Sequence, residues 1–253
     1  MKYKTVYFDI NRYSFPGCSC GLGDLLSVFY SLENLGIQKS IIFILNFNKI
    51  NIANEIFNSF KFKNIVLDQY KKKEDIIEKV YTLSFKKDCS CDYGLFNGCF
   101  FICCFLDYLI KKYEYNPFLS QPIESIFNNE KKFNKLTYIQ FDKKSNHLKK
   151  MKEYTDIEIK SFLKNKDYHC LGGYDTKKYL KNANYCLGNF EFIIKKLISS
   201  NDFIGIDSGI SHLAGAMGIN STIYLKNYSP CIFDFYTKSY RNSKILYKKF
   251  KIF

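Results

Sequence analysis

Phe203-Ile-Gly-Ile-Asp207-Ser208-Gly209-Ile210-Ser211-His212-Leu-Ala-Gly-Ala-Met-Gly218 decides how this chain folds. A short apolar run ends in Asp-Ser-Gly and opens at once into a small-residue segment that stops at a glycine. That is a buried strand feeding a helix, with Ser208 as the N-cap and Gly209 leaving the backbone open to a ligand. The unbonded amides at residues 209–211 and the positive end of the helix dipole would suit a phosphate or diphosphate. Ala214, Gly215 and Ala216 would let the helix pack close to a sheet. The plainer alternative is a helix that only needs a cap, with Asp207 and His212 making local hydrogen bonds.

Strand and helix signals alternate on both sides of this segment. Upstream, the strands Leu136–Phe141, Tyr168–Leu171 and Asp202–Ile206 alternate with the helices Asp156–Leu163 and Phe190–Ser199; the quoted helix covers Ile210–Met217 and a strand follows at Ser221–Leu225. Nearer the start, the β-rich runs Thr5–Ile10, Ser40–Phe47 and Asn64–Gln69 flank apolar faces at Leu25, Leu26, Phe29, Leu32 and Leu35, and at Ile52, Ile56 and Phe60. A further helix is expected over Glu74–Leu83, before the apolar stretch Cys99–Ile110. Asn116-Pro117…Gln121-Pro122 and the polar run Asn128–Lys135 mark a boundary. The pattern predicts an α/β protein with two Rossmann-like halves, 1–130 and 131–253, facing a cleft. Ligands of such sheets sit beyond the carboxyl ends of the strands.

One other loop has the right setting. Gly17-Cys-Ser-Cys-Gly21-Leu-Gly23-Asp24 leads into the amphipathic helix expected near Leu25. Gly21 and Gly23 would permit close approach of a ligand. Asp24 reads either as an N-cap or as a general base at the mouth of the cleft, able to take a proton from an acceptor hydroxyl.

Composition narrows the partners. The 253 residues carry 38 Lys plus Arg against 24 Asp plus Glu, for a net charge of +14. Only Arg12 and Arg241 are arginine. The planar fork of Arg is what reads guanine and grips phosphate in two places, so a Lys-rich, Arg-poor chain is poorly equipped for sequence-specific nucleic-acid reading. A lysine surface still favours polyanions or an anionic membrane face. No apolar run of membrane-spanning length occurs, and the first residues lack the apolar core of a secretory signal. The expectation is a cytoplasmic protein, with peripheral contact at the inner membrane face. Ten cysteines in that setting are expected to be reduced. Cys18-Ser-Cys20 and Cys89-Ser-Cys91 have one residue between thiols, closer than usual zinc-ligand pairs, so no metal site is expected.

Four pieces occur in an order that resembles a known family. Gly21-Leu-Gly23-Asp24-Leu-Leu is similar to an N-terminal Gly-Asp motif, and Cys170-Leu-Gly172-Gly173-Tyr-Asp175 to a strand ending in Gly-Gly. Leu187-Gly188-Asn-Phe-Glu-Phe resembles the segment before the signature, and Asp207 to Gly218 the signature itself, of glycosyltransferase family 9. These are the heptosyltransferase-like enzymes of lipopolysaccharide assembly. The resemblance implies a minimal glycosyltransferase-B fold and a metal-independent, inverting sugar transfer with no cofactor. A nucleotide-diphosphate sugar would be the co-substrate, and a glycan or lipid-linked glycan the acceptor. It places Asp24 at the catalytic base. Ser208, Gly209, Ile210 and Ser211 fall at the diphosphate turn, with Asp207 and His212 supporting it. Lys143 or Lys144 matches a lysine on the donor phosphate or acceptor, and Gly172, Gly173 and Asp175 lie near the donor ribose and base. Between the first strand and the Gly-Asp motif this chain inserts Asn11–Cys20. Its net charge keeps open a transferase acting on nucleic acid or protein. Its shortness beside typical members keeps open a catalytically inactive sugar-nucleotide-binding protein.

Overall fold

The computed structural model describes residues 4–9, 22–46, 51–68, 77–78, 101–127, 137–140, 168–171, 184–186, 188–226 and 230–248. In chain order these give β1 (Lys4–Asp9), α1 (Leu22–Lys39), β2 (Ile41–Asn46), α2 (Asn51–Ser59), β3 (Ile65–Asp68), β4 (Ile77–Glu78) and α3 (Phe101–Tyr113). A single 3-10 turn at Pro117–Leu119 precedes β5 (Thr137–Gln140), β6 (Tyr168–Leu171), β7 (Asn184–Cys186) and α4 (Phe190–Ile198). The chain then runs through β8 (Asp202–Ile206), α5 (Gly209–Ala216), β9 (Ser221–Lys226), α6 (Pro230–Ser239) and β10 (Ser243–Lys248).

The strands form two parallel sheets. The first has the order β3-β2-β1-β4 and the second β10-β9-β8-β5-β6-β7. From β5 the second sheet grows outward in both directions, through β6 and β7 on one side and β8, β9 and β10 on the other. Strand order therefore reverses between β5 and β8, and sheets of this kind take ligands past the carboxyl ends of such a strand pair. Those ends are Gln140 and Ile206.

Expected and observed elements agree closely at β6 and β8. One segment departs. Ile77 and Glu78 lie in a strand paired with Tyr7 and Phe8 of β1, inside the stretch expected to be helical from Glu74 to Leu83. Pairing on the open edge of β1 satisfies the backbone there and overrides a helix-prone pattern. β7, α6 and β10 lacked a strong enough periodicity to be anticipated. The expected helix Asp156–Leu163 and the polar run Asn128–Lys135 lie outside the described residues.

Helix α1 holds the molecule together. It is buried from Gly23 through Gly36 except at half-buried Asp24, rather than along one stripe. One face lies against the first sheet and the other against α5. Side chains of both halves accordingly belong to one apolar cluster, from Val6 and Phe8 through Leu26 and Phe29 to Leu213, Phe235 and Tyr240. Polar groups on so buried a helix need partners, and Glu33 and Asn34 find theirs in the chain segments that cross it. The Glu33 carboxylate accepts from the amides of Lys63 and Asn64, each at 2.9 Å. Burial nevertheless raises its pKa. Asn34 bonds the Gln121 backbone in both directions, at 2.6 and 3.1 Å. The Asn116–Pro122 boundary is thus strapped across α1, and Ile123 N–H goes on to donate to Ala216 O at 2.8 Å.

Candidate functional site

Helix α5 is built much as its sequence implies. Ser208 is its N-cap, extended at φ −158° and ψ 167°, and its Oγ accepts from Ser211 N–H. The helix ends in a full Schellman closure: Gly218 N–H donates to Gly215 O, Ile219 N–H donates to Ala214 O, and Gly218 has φ +70°. Only glycine adopts that backbone without strain.

The turn before α5 is saturated with internal bonds. Ser208 Oγ–H donates to Gln140 Oε1 at 2.6 Å, linking the turn after β8 to the end of β5. Ser211 Oγ–H donates to Ile206 O. Gly205 makes room for that hydroxyl, since a Cβ there would come within 2.9 Å of it. Ser208 and Ser211 therefore spend their hydroxyl protons inside the protein. Ser211 N–H is spent on the cap as well. Of the three amides at 209–211, those of Gly209 and Ile210 remain, because the first amides of a helix have no acceptor within it.

Behind the turn, Asp207 and His212 are buried, at 7% and 4% exposure. His212 Nε2 lies 3.2 Å from Asp207 Oδ1, and Tyr236 Oη–H donates to the same oxygen at 3.0 Å. On the other side of the ring, Nδ1 lies 3.1 Å from Ser27 Oγ and 3.2 Å from Tyr240 Oη. Tyr236 packs against the imidazole with centroids 4.7 Å apart. His212 thus ties α1, α5 and α6 together. Burial pushes the Tyr240 hydroxyl pKa well above its usual value, although the bond to Ser27 opposes the shift.

The described parts of the two segments singled out in the sequence meet. A Cβ on Gly209, the first residue of α5, would lie 2.9 Å from Cβ of Leu22, the first residue of α1. A Cβ on Gly23 would lie 2.7 Å from His212 Cδ2. Two helix N-termini therefore sit side by side, and their dipoles add to make this spot favourable for an anion. Asp24 stands in the first turn of α1, half-buried.

Several sequence readings change in this light. Helix α1 starts at Leu22, so Asp24 lies inside its first turn and is not the N-cap. Gly23 and Gly209 are small because His212 and Leu22 occupy the space a side chain would need. Close approach here is of protein to protein. Gly215 likewise admits the ring of Tyr240, whose Cδ2 would be 2.5 Å from a Cβ, rather than the sheet. Gly21, Lys143, Lys144, Gly172, Gly173 and Asp175 lie outside the described residues, as do both Cys-Ser-Cys elements. Cys170 is buried in the core. Among the described residues no group of three or more His, Cys, Asp and Glu could hold a metal ion, and no helix is long and apolar enough to cross a membrane.

Sequence reasoning missed Gln140, Ser27, Tyr236 and Tyr240. Only Gln140 left a trace: a lone amide closing the otherwise apolar run Tyr138-Ile139, at a strand's carboxyl end.

Solved structures share this fold. A glycosyl transferase of family 9 from Veillonella parvula matches with a TM-score of 0.62 at 9% identity, over 97% of this chain and 86% of that one. The fold is that of the heptosyltransferase-like glycosyltransferases. An E. coli ADP-heptose lipopolysaccharide heptosyltransferase II matches with a TM-score of 0.57 at 8% identity, over 96% of this chain and 90% of that one. The E. coli heptosyltransferase WaaC, solved with ADP, matches with a TM-score of 0.54 at 9% identity, over 97% and 91%. No family model matches the sequence. No curated protein matches it either. The likeness is one of backbone path, at identities of 8–9%.

Proposed function

We propose that the protein is a metal-independent, inverting glycosyltransferase of the glycosyltransferase-B type. The observation that carries this reading is the meeting of two helix N-termini at the strand-order reversal of the second sheet, with one carboxylate, Asp24, in the first turn of α1. A nucleotide-diphosphate sugar lies across the crevice past Gln140 and Ile206, its diphosphate on the amides of Gly209 and Ile210. The heptosyltransferase structure with ADP, on the same fold, supports a nucleoside diphosphate there. The acceptor is a cell-surface glycan or a lipid-linked glycan, reached from the cytoplasm, with the lysine surface favouring an anionic membrane face.

In the reaction an acceptor hydroxyl oxygen attacks the anomeric carbon from the face opposite the diphosphate. The carbon–oxygen bond to the diphosphate breaks as the new glycosidic bond forms, and Asp24 takes the hydroxyl proton. Negative charge grows on the departing diphosphate. The two helix ends and a lysine, Lys143 or Lys144, stabilise it without needing a cation.

Calorimetric titration with ADP, GDP, UDP and CDP tests the donor half of the reading. One nucleotide should bind with clear preference, and no uptake of any would refute it. Transfer from the matching nucleotide sugar should persist in a chelator; loss of transfer restored by a divalent cation would overturn the metal-independent mechanism.

A further inference from the structure

Gln140 belongs to no motif, yet it ends β5 at the point where the strand order reverses. It is buried at 6% exposure and pairs in register with Gly205 of β8. Its carbonyl oxygen accepts the Ser208 hydroxyl proton at 2.6 Å, the shortest step in a directional chain. The chain runs from Ser211 N–H to Ser208 Oγ at 3.3 Å, and from Ser208 Oγ–H to Gln140 Oε1. Ser208 has one proton to give, so as long as Gln140 takes it, Oγ turns its lone pairs to the helix. Without that acceptor the hydroxyl is released to rotate, and a cap that also donates elsewhere holds Ser211 N–H less well.

We propose that Gln140 is a positioning residue: by fixing the Ser208 hydroxyl it holds the Gly209 and Ile210 amides in the outward arrangement that receives a diphosphate. The inference rests on the reading of this turn as a diphosphate site, and it assigns to β5 a role that the helix motif alone does not show. Gln140 acts across the sheet and through Ser208, rather than as a phosphate ligand.

The test is a double-mutant cycle in the full chain, read by calorimetric affinity for the preferred nucleoside diphosphate. Gln140→Met keeps the length and removes the acceptor. Ser208→Ala removes the donor. Each alone should weaken binding about tenfold, and the pair together about tenfold also, because both break one linkage. Losses that multiply to about a hundredfold, or a Gln140→Met protein that binds normally, would overturn the proposal. The melting temperature of Gln140→Met, which leaves the Ser208 cap in place, should stay close to the wild-type value, which a purely structural role would not produce. Should Gln140→Met fail to fold, Gln140→Ala removes the acceptor with less crowding. It should bind about tenfold more weakly, and unchanged affinity would overturn the proposal. If the unmodified protein takes up no nucleoside diphosphate, the diphosphate site itself fails; if it does and these variants are indifferent, only the role of Gln140 fails.

Discussion

The first turns of α1 and α5 touch, yet they are built on opposite plans. Around α5 the polar side chains are tied down: Ser208 to Gln140, Ser211 to Ile206, Asp207 to His212 and Tyr236. That turn is a rigid frame whose remaining offering is backbone amide. The first turn of α1 is Leu22, Gly23 and Asp24: an apolar contact, a gap for His212, and one half-buried carboxylate. On the proposed reading this is a division of labour: the α5 turn would grip charge with fixed dipoles, which cost no reorganisation, and the α1 turn would supply a group that exchanges a proton.

Separating those roles gives the largest expected effect. Asp24→Asn should lower single-turnover transfer, at saturating donor, by at least about a hundredfold, since Asn cannot take the proton. Donor affinity should stay near normal. Stability should fall by only about 0.3–1 kcal/mol, the worth of a charge in a helix's first turn. Transfer at close to the wild-type rate would place the base elsewhere and erase the contrast between the two turns.

The contact itself can be broken from the α1 side. Gly23→Val would drive a methyl group into the His212 ring and should cost about 1–3 kcal/mol, as overpacking usually does. Thermal denaturation should show a melting temperature lower by several degrees. An unchanged melting temperature would mean that the helices are not seated as described.

A smaller effect comes from the α5 side. Gly209→Val must displace Leu22 and turn the helix start, so nucleoside-diphosphate affinity should drop about tenfold, roughly 1.4 kcal/mol. Calorimetry on a variant with native circular dichroism checks this. Unchanged affinity would remove the diphosphate from this turn.

How much of this was legible in the sequence depends on whether a feature is local. The strand–turn–helix at 202–218 could be read directly, because strand apolarity, Ser208 as cap and Gly218 as terminator all act within one segment. The partners that make the turn rigid come from far along the chain: Gln140 precedes Ser208 by most of a half-sheet, and Ser27 reaches His212 from the other half. A single sequence has no term for such pairings, so glycines that clear space for a neighbouring ring read as glycines that clear space for a ligand. Ile77–Glu78 failed for the same reason. Its local pattern favours a helix, and an open strand edge elsewhere in the fold decided otherwise.

At neutral pH the smallest effect belongs to the buried phenols behind the turns. Burial pushes the Tyr115 pKa up to about 12, and Tyr30 and Tyr240 are raised in the same way. A folded-state pKa above the unfolded value favours the native state fully below about pH 10, and that contribution is lost as pH climbs through the folded value. Denaturant midpoints should therefore hardly depend on these groups at pH 7 and should fall steeply between about pH 10 and 12. Tyr115→Phe, measured over the same range, should flatten part of that fall; an identical profile would show that Tyr115 is not held neutral by the fold.

The central claim is that a nucleoside diphosphate lies on the first amides of α5, beside the start of α1. Amide chemical shifts followed by nuclear magnetic resonance during titration with the preferred nucleoside diphosphate test it most directly. The Gly209 and Ile210 signals should move most, and Ser211, whose amide is already held by Ser208, should move less. Saturable binding that leaves Gly209 and Ile210 unshifted while signals elsewhere respond would contradict the account.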